Sequence, residues 1–138
     1  MTVINEKFVV NTQGHTDIVD ITKNVQNCVY RQSLQNASVL VYASGSTVSI
    51  TNIEFEPGAL VDFQEALEKI APVGKEYHHD ETWNDGNGYA HVRAAIVGNS
   101  TSVPVIDGAM RLGTWQQIVL VDFDNKPRTR TVNVQIVY

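Results

Sequence analysis

The chain predicts a single α+β domain, mainly antiparallel sheet or sandwich, with two to three short helices. Three observations predict it. Its 138 residues, 43% of them hydrophobic, suffice to bury one core and leave no room for a second domain of normal size, so residues 1–138 read as one unit. Apolar β-branched runs outnumber helical patterns and show no regular strand and helix alternation, which argues against a doubly wound or TIM-barrel architecture. The carboxy-terminal stretch consists of two apolar runs, 115–123 and 128–138, around the turn Asp124-Asn125-Lys126-Pro127, the pattern of a hairpin closing an antiparallel sheet.

Residues 6–12, with Phe8-Val9-Val10, form the first predicted strand; Gln13-Gly14 turns the chain, and 18–21 is extended again. Thr22 is placed to cap a helix in which Val25, Cys28 and Val29 recur at three and four residues, continuing to about Gln35. Residues 38–43 read as a buried strand, Ser44-Gly45 as a turn, and Val48, Ile50 and Ile53 as a strand ending in Glu54-Phe55-Glu56. Pro57-Gly58 breaks it before a helix from about Leu60 to Ile70 with Leu60, Phe63, Leu67 and Ile70 on its inner face. A short helix from His91 to Val97 stops at Gly98.

Composition excludes several function classes. A net charge of -5, with ten Lys and Arg scattered apart from Lys126, Arg128 and Arg130, argues against a nucleic-acid binder. No apolar run approaches the length of a membrane span, and the amino terminus lacks the regions of a signal peptide, so the expected location is cytoplasmic. The lone Cys28 has no internal disulfide partner and lies at helical spacing with Val25 and Val29, which makes it a buried thiol and no nucleophile.

The densest chemistry lies in residues 77–91, which hold three of the four histidines with Asp80, Glu81 and Asp85. Glycines and asparagines in the middle favour an irregular turn that folds the histidines back on one another. His79, Asp80, Asp85 and His91 are ligand types for a divalent metal, zinc, magnesium or manganese, although their spacing matches no established zinc pattern and a solvated loop is the competing reading. His78 and His79 adjoin, so in an extended strand only one faces a site. Gly45-Ser46-Thr47 offers amides and hydroxyls to an anion such as phosphate, against the plainer reading of a hairpin turn. Strand parity separates Glu54 from Glu56, and either could serve as a general base. Trp115 could stack on a flat heterocycle while Gln116 bonds its edge, with core packing as the alternative for the tryptophan; Arg93 and Arg111 could bind an anion.

In their order these segments resemble the YjbQ family, small proteins also described as secondary thiamine-phosphate synthases. The resemblance runs over nearly the whole chain and is carried by Gly45-Ser46-Thr47, Asn52-Ile53-Glu54-Phe55-Glu56-Pro57-Gly58, Tyr77-His78-His79-Asp80, Asp85-Gly86-Asn87-Gly88, Ala90-His91-Val92-Arg93-Ala94, Val103-Pro104-Val105, Asp107-Gly108 and Leu112-Gly113-Thr114-Trp115-Gln116. It implies an α+β fold, a homotrimer with sites near subunit boundaries, and formation of thiamine phosphate from a pyrimidine diphosphate and a thiazole phosphate. Many family members have histidine at the position of Gly45, in a His-Thr-Thr stretch, so no role resting on that histidine passes to this chain; another branch resembles Gly-Ser-Thr. The resulting expectation is an enzyme with Glu54, Asp85 and His91 as catalytic groups, and Ser46, Thr47, Asn87, Arg93, Trp115 and Gln116 holding a phosphorylated metabolite. His79, Asp80 and His91 would hold the metal. The rival expectation is a non-catalytic trimer that binds a metabolite or metal.

Overall fold

The structure, a computed structural model, describes residues 1–138, and its strands sort by how many faces they bury. A five-stranded sheet contains β1 (Val3–Thr12), β3 (Asn36–Ala43), β5 (Ser100–Ile106), β6 (Ala109–Met110) and β8 (Arg128–Val137), in the order β1-β8-β3-β5-β6 and antiparallel throughout. Alternate residues point inward: Val39, Val41 and Ala43, Val103 and Val105, and Val132, Val134 and Ile136 are buried. Between them the outer face carries polar pairs such as Gln135 with Asn5. One solvated face is normal for an antiparallel sheet.

A second sheet of β2 (Asp17–Asp20), β7 (Gln117–Asp122) and β4 (Val48–Ile53) has β7 at its centre. That strand is buried on both faces, so its sequence is continuously apolar from Ile118 to Val121. Ile118 and Leu120 meet the five-stranded sheet in the main core, which α1 (Thr22–Tyr30) closes with Val25, Cys28 and Val29. Val119, Val121 and Phe123 meet Leu67 of α2 (Pro57–Ile70) and Tyr89, Ala90 and Ala94 of α4 (Gly88–Val97). The three-stranded sheet is therefore the middle layer, with the larger sheet on one side and helices on the other.

The α+β class holds, with several corrections of detail. Helices number four, because α3 (His78–Trp83) forms where an irregular loop is predicted. Thr22 is the first residue of α1 and follows Ile21 at the cap; its hydroxyl donates to Asp20 and accepts from the Ile118 amide. The helix ends at Tyr30, short of Gln35, with Ser33 in left-handed backbone at φ 52°. On α2 only Leu67 is fully buried, while Ile70 is 59% exposed. The predicted closing hairpin does not form: β7 and β8 belong to different sheets, β7 pairing with β2 and β4, and β8 with β1 and β3. Likewise Ser44-Gly45 is no hairpin turn, since β3 and β4 lie in opposite sheets and the segment crosses between them.

Candidate functional site

Two helices and a sharp reversal build the site. Asn84 ends α3 in left-handed backbone (φ 48°), its amide donating to the Asp80 carbonyl, and Gly86 (φ 68°) continues the reversal. The Asn87 carbonyl then accepts from the amides of Ala90 and His91 and starts α4. Gly88 is needed for close approach, because a Cβ there would stand 2.3 Å from the Cβ of Tyr77. The reversal brings the rings of His79 and His91 to 4.2 Å between centroids, inclined at 44°. His78 and His79 are successive helical residues and not a strand pair; His78 is fully exposed beside Glu81, while the His79 side chain keeps 27% of its exposure.

The carboxylates are oriented by backbone. Asp80 Oδ1 accepts from the Gly88 amide at 3.0 Å, and Asp85 Oδ1 from the Asn87 amide at 3.1 Å. His79 Nε2 lies 3.3 and 3.4 Å from the two Asp85 oxygens. Ligand atoms of His79, Asp80 and Asp85 all fall within 4.8 Å of one another, and one oxygen of each carboxylate is free of the backbone bond that orients it. This donor set fits a divalent cation, with orientation supplied from behind in the manner of metal sites. It replaces His91 of the predicted trio by Asp85, and leaves His91 stacked against His79. Burial pushes the His91 imidazole below the usual histidine range, and the neighbouring His79 adds to this against Asp85, Asp124 and Asp80. The Asn87 amide holds the Asp85 carboxyl below the usual carboxylate range, with further help from His79 against a burial effect.

His91 also lines a cavity of about 290 Å3 with Gly45, Ser46, Ala94 and Asn99. Behind that wall lies a charged network absent from the sequence-based expectation. Asp122 and Asp124 are 0% and 1% exposed. Arg130 grips Asp122 with Nε and Nη2 at 2.7 and 2.8 Å, and Arg128 reaches Asp124 Oδ2 at 3.0 Å. Thr47, predicted to touch ligand, is buried; its hydroxyl donates to Asp124 Oδ2 and accepts from Arg130 Nη2. Asn87 is buried too, its Oδ1 accepting from the Asn125 amide. The signal for this network is Asp122-Phe123-Asp124 at the end of the apolar run of β7, since two acids buried there need cationic partners, which Arg128 and Arg130 supply.

Other predicted residues lie elsewhere on the chain. Glu54 and Trp115 share a separate depression with Asp20 and Phe55, and Trp115, 71% exposed, sits in the turn before β7 and packs in no core. Gln116 spends its Oε1 on the Gly113 amide. Glu56 caps α2, accepting from the amides of Gly58 and Ala59, which draw its carboxyl below the usual range. Arg93 is buried and donates to the Ala71 carbonyl, Thr16 and Glu68, so it ties α4 to α2 and lines a different cavity, with His15 and Tyr89. Arg111 pairs with Asp107 at the surface.

Fold and site together define a two-sheet α+β domain with an imidazole and carboxylate cluster at a helix joint. Residues 6–138 match the family described as UPF0047 protein YjbQ-like, and the chain belongs to that family. A UPF0047 protein of Archaeoglobus fulgidus is 41% identical over 94% of this chain and 98% of its own length. Bacillus subtilis YugU, another UPF0047 protein, is 30% identical over 92% and 94%. Among solved structures, a YbjQ-like protein of unknown function from Sulfolobus solfataricus superposes with a TM-score of 0.92 at 29% identity, covering 99% of this chain and 97% of that one. A YjbQ/UPF0047 protein of Clostridium acetobutylicum gives 0.86 at 30% identity, over 96% and 99%.

Proposed function

We propose that the chain is a small-molecule enzyme acting on a phosphorylated metabolite with a divalent cation held by His79, Asp80 and Asp85. The convergence of those three ligand groups within 4.8 Å carries the reading. The cation would neutralise phosphate oxygens and a departing diphosphate. His91, held toward its neutral form by burial, is suited to accept a proton or a hydrogen bond beside it. Ser46 lines the same cavity as His91 and offers a hydroxyl to the ligand's oxygens. We read the reaction as thiamine-phosphate formation, a reading that the resemblance to secondary thiamine-phosphate synthases supports. There the bond between the pyrimidine methylene carbon and the diphosphate oxygen breaks, diphosphate leaves with the electron pair, and the thiazole nitrogen lone pair forms the new C–N bond; no redox partner is needed. The same resemblance supports a homotrimer.

The experiment is manganese or zinc binding to the parent, His79→Ala and His91→Ala chains. His79→Ala should weaken binding by roughly tenfold to a hundredfold, the scale of losses at metal sites. His91→Ala should weaken it less, because His91 is outside the 4.8 Å group. Parent affinity in His79→Ala would reject the metal reading. One observation favours a binding-only protein instead: Glu54 and Trp115 line a depression apart from the histidines within one chain. Saturable ligand binding without turnover would support that alternative.

A further inference from the structure

We infer that the cavity lined by Tyr89 and Arg93 is a binding site for a small primary amine, taken up in its ammonium form. The inference stands apart from the phosphorylated-ligand reading and can fail without it. The cavity, of about 320 Å3, lies where α2, α4 and the turn between β1 and β2 meet. That size is within the ordinary range of small-molecule pockets. Helical spacing assembles its walls: Gln64, Glu65 and Glu68 share one side of α2, and Tyr89 and Arg93, four residues apart, share one side of α4.

The arginine in this wall is already spent. Arg93 Nε donates to the Ala71 carbonyl, Nη1 to Thr16 and Nη2 to Glu68, and its guanidinium lies 5.1 Å from the centre of the Tyr89 ring. Glu68 therefore cancels the charge of Arg93. Glu65 takes part in no ion pair, so an arriving anion would meet a neutral pair and an unopposed carboxylate. Gln64 commits its amide nitrogen to the Thr16 carbonyl, which leaves its Oε1 as an acceptor. Tyr89 adds an independent observation. Only 3% of the residue is exposed, and its hydroxyl makes no hydrogen bond to protein, a costly state for a buried group unless something else reaches it. The enclosed polar atoms without partners are Asn52 Oδ1 and Asp124 Oδ1, so the Tyr89 oxygen is not sealed in, and the cavity is the space that Tyr89 lines. Burial pushes its phenol above the usual tyrosine range, against the pull of Arg93, so at neutral pH it is an uncharged hydroxyl able to accept as well as donate. A primary ammonium brings three N–H donors and one positive charge. These match the Glu65 carboxylate, the Gln64 carbonyl and the Tyr89 hydroxyl, while Val73 offers an apolar wall to a short hydrocarbon chain.

The test is an NMR titration of the parent chain with n-butylamine, protonated at neutral pH, beside n-butanol, butyrate and butyltrimethylammonium. These controls lack the charge, carry the opposite charge or lack the N–H donors. Butylamine should shift the amide signals of Glu65 and Tyr89 and bind at least tenfold more tightly than each control. Glu65→Gln and Tyr89→Phe should each weaken butylamine binding roughly tenfold, the scale of a hydrogen bond to a charged group, with melting temperature at the parent value. Should Tyr89→Phe melt early, Glu65→Gln, on an exposed side of α2, decides alone. Equal binding of butyltrimethylammonium would reduce the effect to diffuse charge attraction and overturn the inference. Tighter binding of butyrate, or parent-like butylamine binding in Glu65→Gln, would overturn it as well. None of these outcomes bears on the proposed function, because no member of the His79, Asp80 and Asp85 group lines this cavity.

Discussion

Asp124 is subject to opposing influences. Burial pushes its carboxyl up, but Arg128, Asn87 and Thr47 hydrogen-bond the charged form, and the balance lies below the usual carboxylate range. A depressed folded value means that this contribution to stability is fully present above the ordinary carboxyl range and is lost as pH falls through the folded value. Asp124→Asn should therefore lower unfolding free energy at pH 7, and the gap from the parent should close as the medium is acidified below about pH 4. Urea denaturation at several pH values checks it; a gap independent of pH would show that geometry and not charge is what Asp124 supplies. Residues of this kind were the least legible in the sequence. Asp124 reads as a turn residue because Asn125, Lys126 and Pro127 follow it, and it does lie in the bend between β7 and β8, but nothing local reveals that Thr47, 77 positions away, completes its shell. His79, Asp85 and His91 were legible because one short reversal, signalled by Gly86 and Asn87, brings them together.

Among elements, the α3 and α4 joint sets the geometry of the candidate site. Gly88 permits it, since a Cβ would lie 2.3 and 2.7 Å from Cβ and Cγ of Tyr77, and the same Gly88 amide holds Asp80. Gly88→Ala must push the helices apart, with an overpacking cost of about 1–3 kcal/mol. The expected result is a lower melting temperature together with weaker manganese binding; a change in melting alone would detach the joint from the ligand group. Helices α1, α2 and α4 were readable in outline, because each has an apolar face or a clear stop such as Gly98. The sequence did not announce α3. None of its residues, His78–Trp83, is fully buried and they form no apolar stripe to read, so the helix is held by its flanks.

At the scale of the whole molecule, sheet membership depends on layers that no local pattern encodes. The run Ile118-Val119-Leu120-Val121 announced a buried strand, yet its adjacency to β8 favoured a hairpin that the layering rules out: one face of β7 packs on the larger sheet and the other on α2 and α4. The same layering leaves Phe55 and Trp115 exposed, at 43% and 71%, around the depression that contains Glu54. Family resemblance carries the expectation of a homotrimer, and burial of these two aromatics between protomers would be a reason for it to form. Sedimentation equilibrium at micromolar concentration should then give the mass of three 15.3 kDa chains, and Trp115→Asp should shift the population toward single chains. Ligand binding adds a second readout. If assembly brings Glu54 of one protomer toward a histidine cluster, Glu54→Gln should weaken binding or turnover without changing the melting temperature. A parent that sediments as one chain rejects the trimer, and it confines the site to the α3 and α4 joint and the Gly45 crossing, where Glu54→Gln should change nothing.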